Sequence, residues 1–513
     1  MTHSDTPESA YNDLCSHIRE ANVLGSVVQL LEWDEQTKMP GQGAPHRADQ
    51  AAALTQIVHQ RITDPRIADW LAAVEDSSLV EDSSLVEDPR SGEGTNVRRI
   101  RRAYDRQTKL PARLVEALTR QAVLGQHAWV EARKNDDFAA FAPHLEKTFE
   151  LKREEAEAIG YEDSPYDALL DAYEPEMLTS EAATVLADLR EGLVPLVEQA
   201  AGAASPPDAS LLHRVYPADR QESFATAMAR RIGFDFDRGR LDVTAHPFCC
   251  SPGPSDIRIT TRYNERFFNE AFFGVLHEAG HGIYEQGLPT EEYGLPTGEA
   301  VSLGVHESQS RLWENFVGRS NAFWTFAFPR ALSVFPESLA DVTRDEFYRA
   351  INRVEPSFIR VEADEATYNL HILIRFEMEL GLLSGDIPIS DAPAAWNEKY
   401  QAYLGITPPD DRLGILQDVH WSAGLVGYFP TYALGNLMAA QLFACAKQEL
   451  GDLDEQFAAG SFSPLRDWLR NNVHKEGQRY NGSELIEKVT GKKLSRDPLI
   501  DYLGEKVGGV YQL

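Results

Sequence analysis

The chain is poor in positive charge. Its 513 residues carry 49 Lys and Arg against 80 Asp and Glu, a formal net charge of −31. Phosphate binding needs clustered Lys and Arg, so this balance argues against nucleic acid as a partner, and equally against anionic membranes. Cysteine is scarce as well. Cys15, Cys249, Cys250 and Cys445 are too few for a disulfide framework, and the adjacent Cys249 and Cys250 make no C-x-x-C pair. The opening "MTHSDTPESAYNDLCSHI" has no basic start and no apolar run, so no secretory signal is expected. Nothing in the chain approaches the roughly 20 apolar residues of a membrane span. A reducing cytoplasm is the expected location. The hydrophobic content of 43% and charged content of 25% suit a soluble globular protein.

What the chain does have is helical patterning. "YNDLCSHIREANVLGSVVQLLEWDEQ" spaces Leu14, Ile18, Val23, Val27, Leu30 and Leu31 by about three or four residues. "LVEALTRQAVLGQHAWVEARK" and "EAATVLADLREGLVPLVEQA" repeat the pattern. Between Val74 and Gly94 the hexapeptide VEDSSL occurs twice, and an acidic, Ser-rich loop is expected there. The basic cluster Arg98, Arg99, Arg101 and Arg102 that follows is expected to pair with carboxylates of neighbouring helices. Strand patterns are confined to "RLDVTAHPF" and "DIRITTRY", with "CCSPGPS" read as the turn between them, so a small hairpin is expected. No linker separates independent units. The expected fold is mainly α: one helical body over residues 1–513, with the hairpin lining a cleft.

One short stretch carries chemistry. "HEAGH" places His277 and His281 four residues apart, hence on one face of a helix, with Glu278 rotated by about 100°. The preceding "AFFGVL" marks that helix as buried, and two buried imidazoles beside a carboxylate are costly unless something pairs with them. A metal does so. A catalytic zinc site takes three protein ligands, so a third is needed. Glu307 in "HESQSRLWEN" stands on the next helical pattern, after a Gly- and Pro-rich connection long enough to reverse direction. Arg311 at i+4 is placed to orient it. His306 is the alternative ligand, but it points about 100° away from Glu307, so only one of the two should face the metal. Glu278 is then placed to act as the general base.

Taken together, the motifs resemble those of the carboxypeptidase Taq family of metallocarboxypeptidases. They occur in order: "LEWDEQTKMP", "HPF" from His246, "DIRIT" from Asp256, "HEAGH", "HESQSR" from His306, "IRVEAD" from Ile359 and "GILQDVHW" from Gly414. The resemblance covers nearly the whole chain. It implies a single domain of two helical lobes around a deep groove, with the metal-site region over about 240–435, akin to the group containing neurolysin and angiotensin-converting enzyme. It also implies removal of single residues from peptide C-termini with broad specificity, one divalent metal per chain (zinc, or cobalt), and a homodimer. "HWSAGLVGYFPTY" offers His420, Tyr428 and Tyr432 as donors to the oxyanion of the tetrahedral intermediate; the resemblance puts Tyr428 first and His420 second. A free C-terminal carboxylate calls for an arginine, with Arg360 first and Arg258 behind it. Asp364 and Asp256 are the structural partners that would compete for these two side chains. His246 is expected to line the site or support a ligand. On the same metal site, an oligoendopeptidase or a dipeptidyl carboxypeptidase is the alternative activity, and a non-catalytic peptide binder a more distant one.

Overall fold

The long helical patterns form helices where the spacing predicts them. The structure, a computed structural model, describes residues 6–75 and 88–512, so most of the VEDSSL repeat lies outside the described residues. The first helix, Pro7–Thr37, starts at the Thr6 side chain, which accepts from the Ser9 N–H, with proline at the first helical position. Its apolar stripe is covered mainly at the N-terminal end, with Trp33 buried again near the other. Leu14 packs in a small cluster with Ile67, Leu71, Val74, Val97 and Ile100, whereas Val23 and Val27 are 51% and 39% exposed. Farther along the same helix, Ser26, Gln29 and Trp33 line a cavity of about 810 Å³.

A second and much larger apolar cluster runs from Ala132 to Tyr511 and contains most of the rest of the core. Its centre is helix Phe268–Glu285, which buries Phe268, Phe272, Phe273, Val275 and Leu276 on the turns that precede HEAGH. The short helix Leu303–Arg311 crosses it closely. Gly280 makes this possible, because a Cβ there would stand 2.6 Å from Gln309 O and Ser310 Cα. Helix Pro430–Leu450 closes in from the other side at Gly435, where a Cβ would stand 2.8 Å from the Glu307 Cβ. Glycines at two contacts thus let three helices converge on one point.

The β structure differs from the expected hairpin. β1 (Gly239–Val243), β2 (Cys249–Gly253) and β3 (Asp256–Thr261) form a sheet in the order β1-β3-β2. The two patterned segments are the parallel pair β1 and β3, and the stretch read as a turn is itself the strand β2, antiparallel to β3. Pro252 has no N–H to give to a ladder, and the β2–β3 register slips between Cys250 and Gly253. Proline-rich composition hid a short edge strand. Ile257 and Ile259 of β3 are buried, while Arg258 between them points the other way.

The arginine cluster pairs as expected. Arg98 and Arg99 reach Glu176 at 3.5 and 3.0 Å, Arg101 reaches Glu75 at 2.7 Å, and Arg102 contacts Asp171. None of the helices among the described residues is long and apolar enough to cross a membrane.

Candidate active site

His277, His281 and Glu307 come together, with one ligand atom of each within 4.8 Å of the others. The Nε2 atoms of His277 and His281 lie 3.6 and 3.4 Å from Glu307 Oε2. Ligands about 2.1 Å from a tetrahedral ion stand about 3.4 Å apart, so the donor set fits a small divalent metal. The outward ring atoms are occupied too. Nδ1 of His277 lies 2.9 Å from Glu314 Oε2, and Nδ1 of His281 lies 2.6 Å from Nδ1 of His306. Arg311 joins the two carboxylates, donating from Nε to Glu307 Oε1 at 2.7 Å and from Nη1 to Glu314 Oε2 at 3.1 Å. His306 faces away from Glu307 and lies 2.7 Å from Glu285 Oε1.

Burial opposes the charge on Glu307, but Arg311 and the two imidazoles outweigh it and hold its pKa well below the usual value. Burial pulls the His281 imidazole down to about 4, which keeps the ring neutral and its lone pair available. Glu278 is 7% exposed, and burial pushes its pKa up to about 7.

Two further elements face this cluster. Tyr368 lies under Arg311, whose guanidinium carbon stands 4.2 Å above the ring, and its hydroxyl accepts from Arg360 Nη1 at 3.1 Å. Tyr428 packs edge-on against Tyr173 and Tyr432, with centroids 5.1 and 5.4 Å apart. The Tyr432 hydroxyl lies 3.5 Å from His420 Nε2. Burial raises the pKa of Tyr428 and depresses that of His420 to about 4, so the phenol stays protonated and the imidazole neutral.

The two arginines differ in setting. Arg258 is held within its own strand by Asp256 at 2.7 and 2.8 Å, and it stacks 4.1 Å above the Trp33 ring. Arg360 is buried, and its partner is not the expected Asp364. It contacts Asp418 at 2.9 and 3.0 Å, while Asp364 accepts from the backbone N–H groups of Glu355, Ala366 and Thr367. The reason is local. The helical turn at Arg360 is only a short 3-10 segment, Arg360–Glu362, so i+4 geometry never forms. His246 sits exposed in the turn between β1 and β2, and no hydrogen bond or ion pair joins it to His277, His281 or Glu307 among the described residues. Spacing alone did not single out Glu314, Asp418 or the His306–Glu285 pair. Glu314 carried a signal, since Glu307, Arg311 and Glu314 form an i, i+4, i+7 stripe. It sits in a π-helical turn, Leu312–Val317, that continues the ligand helix.

A largely buried His/His/Glu cluster on two crossing helices, with a second glutamate next to the first histidine in a mainly helical body, defines a metallopeptidase. The model of the carboxypeptidase Taq (M32) metallopeptidase family matches residues 13–507. Thermostable carboxypeptidase 1 of Thermus thermophilus is 50% identical over 99% of this chain and 100% of its own length. Carboxypeptidase 1 of Bacillus subtilis is 38% identical over 99% of both chains. The crystal structure of the M32 carboxypeptidase from Deinococcus radiodurans superposes with a TM-score of 0.93 at 39% identity, covering 98% of this chain and 100% of that one. The chain belongs to the carboxypeptidase Taq family and is a metallocarboxypeptidase.

Proposed function

We propose that His277, His281 and Glu307 hold one divalent ion, zinc first and cobalt as the alternative, and that the enzyme trims peptides from the C-terminus with the following division of labour. The bound metal supplies Lewis acidity and a water acidic enough to react near neutral pH. Glu278, adjacent to the ligands but on another face of the helix, takes the proton of the attacking water on its carboxylate and delivers it to the leaving amine. Its pKa near 7 suits both halves of that exchange. Tyr428 donates its phenolic O–H to the oxyanion, with His420 beside it. Arg360 takes the terminal carboxylate. Its guanidinium has five N–H donors, more than Asp418 and Tyr368 use. Arg258 is already held by Asp256 and Trp33, which supports a structural role for it. His246 remains a candidate substrate contact at the exposed lip of the sheet.

The substrates proposed are peptides with a free C-terminus. The acidic surface, with its net charge of −31, fits neither nucleic acid nor anionic membranes as partners. A homodimer in the cytoplasm completes the proposal. The observation that carries it is the spacing of the two Nε2 atoms from Glu307 Oε2, 3.6 and 3.4 Å, with Glu278 next along the helix. The test is mass spectrometry of a defined peptide, with and without a chelator. Stepwise loss of single C-terminal residues, stopped by the chelator and restored by zinc or cobalt, is the expected result. Internal fragments or released dipeptides would replace this reading by an endopeptidase or a dipeptidyl carboxypeptidase.

A further inference from the structure

Glu379 stands on helix Thr367–Ser384, fully buried, away from the metal ligands. A carboxylate in such a place is costly unless its oxygens are satisfied. Three donors converge on it. Trp421 Nε1 donates to Oε1 at 2.8 Å, and the Tyr166 hydroxyl and the Gly427 N–H donate to Oε2 at 2.6 and 3.1 Å. Burial pushes its pKa up to about 7 against these three donors, and in its ionised form, which only accepts, the carboxylate suits all three at once.

The position of the donors in the chain matters. Trp421 and Gly427 are the two ends of one loop, with His420 immediately before it and Tyr428 immediately after. The loop turns through left-handed backbone at Gly424 and Gly427, with φ of 75° and 91°. A Cβ on Gly427 would stand 2.8 to 2.9 Å from backbone atoms of Leu169 and Leu170, so the loop end lies directly against helix Pro165–Leu170. That helix carries Tyr166, the third donor. One buried carboxylate therefore ties three elements together at the point where Tyr428 leaves the loop.

We propose that Glu379 is a positioning residue for the hydrolysis: by clamping both ends of the loop Trp421–Gly427 it sets where Tyr428 stands relative to the metal triad. The proposal rests on the reading of Tyr428 as the oxyanion donor. Glu379 touches neither substrate nor metal ligand and acts only through the loop. An apolar side chain would fill the same space but would leave the indole N–H and the Gly427 N–H without an acceptor, free to settle in other arrangements.

The test is a double-mutant cycle on a free-acid peptide with Glu379→Gln, Tyr428→Phe and the pair. Glutamine keeps the size, but its NH2 cannot accept, so one donor is left facing another. Glu379→Gln is expected to lower kcat by about 10- to 100-fold, the cost of a small misplacement of a catalytic group. KM should change less than kcat, because Asp418, which holds Arg360, lies outside the loop and is also anchored by Arg375. In the Tyr428→Phe background the same substitution should lower kcat no further, since coupled groups do not add. Trp421→Phe removes a single donor and should repeat the pattern with a smaller loss; it carries the cycle if Glu379→Gln does not fold. Multiplying effects would overturn the clamp, as would an unchanged kcat in Glu379→Gln beside a slow Tyr428→Phe. A full-rate Tyr428→Phe beside a slow Glu379→Gln would instead overturn the donor reading and, with it, the proposed route.

Discussion

The Nδ1 atoms of His281 and His306 lie 2.6 Å apart, and Nε2 of His306 lies 2.7 Å from Glu285. One proton arrangement satisfies both contacts. Glu285 accepts from His306 Nε2–H, His306 Nδ1 accepts from His281 Nδ1–H, and Nε2 of His281 keeps its lone pair on the side of Glu307. In the proposed metal site His306 would orient a ligand without being one. Replacing His306 with Leu is expected to weaken zinc binding by about 10- to 100-fold, the usual cost of losing a group behind a metal-binding histidine. Competition with a chromophoric chelator measures this in the absence of turnover. Equal affinity in the variant and the parent would remove His306 from the metal site.

In the proposed mechanism Glu278 separates metal binding from chemistry. It neighbours His277, yet it is not among the residues whose ligand atoms cluster. Glu278→Gln should retain one metal per chain by elemental analysis and lose about 10²- to 10⁴-fold in kcat, the range for a lost general base. Metal loss in this variant would make Glu278 a ligand, and an unchanged rate would remove it as the base.

How far the sequence could be read depended on the range of the interaction. The helices and the His277, His281 and Glu307 cluster were legible because they are set by short periods: His277 and His281 at i, i+4, and Glu307 with Arg311 at i, i+4. The sheet was legible as strand pattern but not as topology. Parallel pairing of β1 and β3 and the use of "CCSPG" as a strand depend on contacts across the sheet rather than on alternation. The partners of Arg360 were illegible for the same reason. Asp418 is 58 residues away, and only the tertiary fold brings it near. Glu379 is one carboxylate in a mostly apolar helix, and its partners come from the Trp421–Gly427 loop and Tyr166, distant in sequence.

Glu174 gives a stability prediction. It is buried, accepts from the Gly304 N–H at the start of the ligand helix, and is pushed up from 4.5 to about 8 by burial. A raised carboxyl pKa means that the native state holds a proton which the unfolded chain has lost. Between about pH 4.5 and 8 this contribution to stability therefore falls as pH rises, by about 1.4 kcal/mol per pH unit at most. Buried imidazoles such as His474, lowered to about 3, act in the opposite direction up to their unfolded value of 6.5. The diagnostic is therefore the difference between parent and Glu174→Gln in denaturant titrations. The glutamine variant should gain on the parent from pH 5 to pH 8. A difference that does not change with pH would show that Glu174 is ionised throughout.

The two arginines make opposite predictions. Arg258 pairs with Asp256 and stacks on Trp33, so Arg258→Ala should lower the melting temperature and leave the preference for free-acid over amidated peptides in place. Arg360→Ala is expected to remove that preference. In the parent enzyme, amidating the C-terminus should cost about 2–4 kcal/mol, roughly 30- to 1000-fold in kcat/KM, the scale for leaving a buried charge without its partner. The Arg360 variant should treat acid and amide nearly alike, with KM for the acid raised. Collapse of the fold is not expected to confuse the result, because Asp418 keeps its second arginine: Arg375 Nε remains 2.6 Å from Oδ2. A preference that survives in the Arg360 variant and vanishes in the Arg258 variant would reverse the two roles.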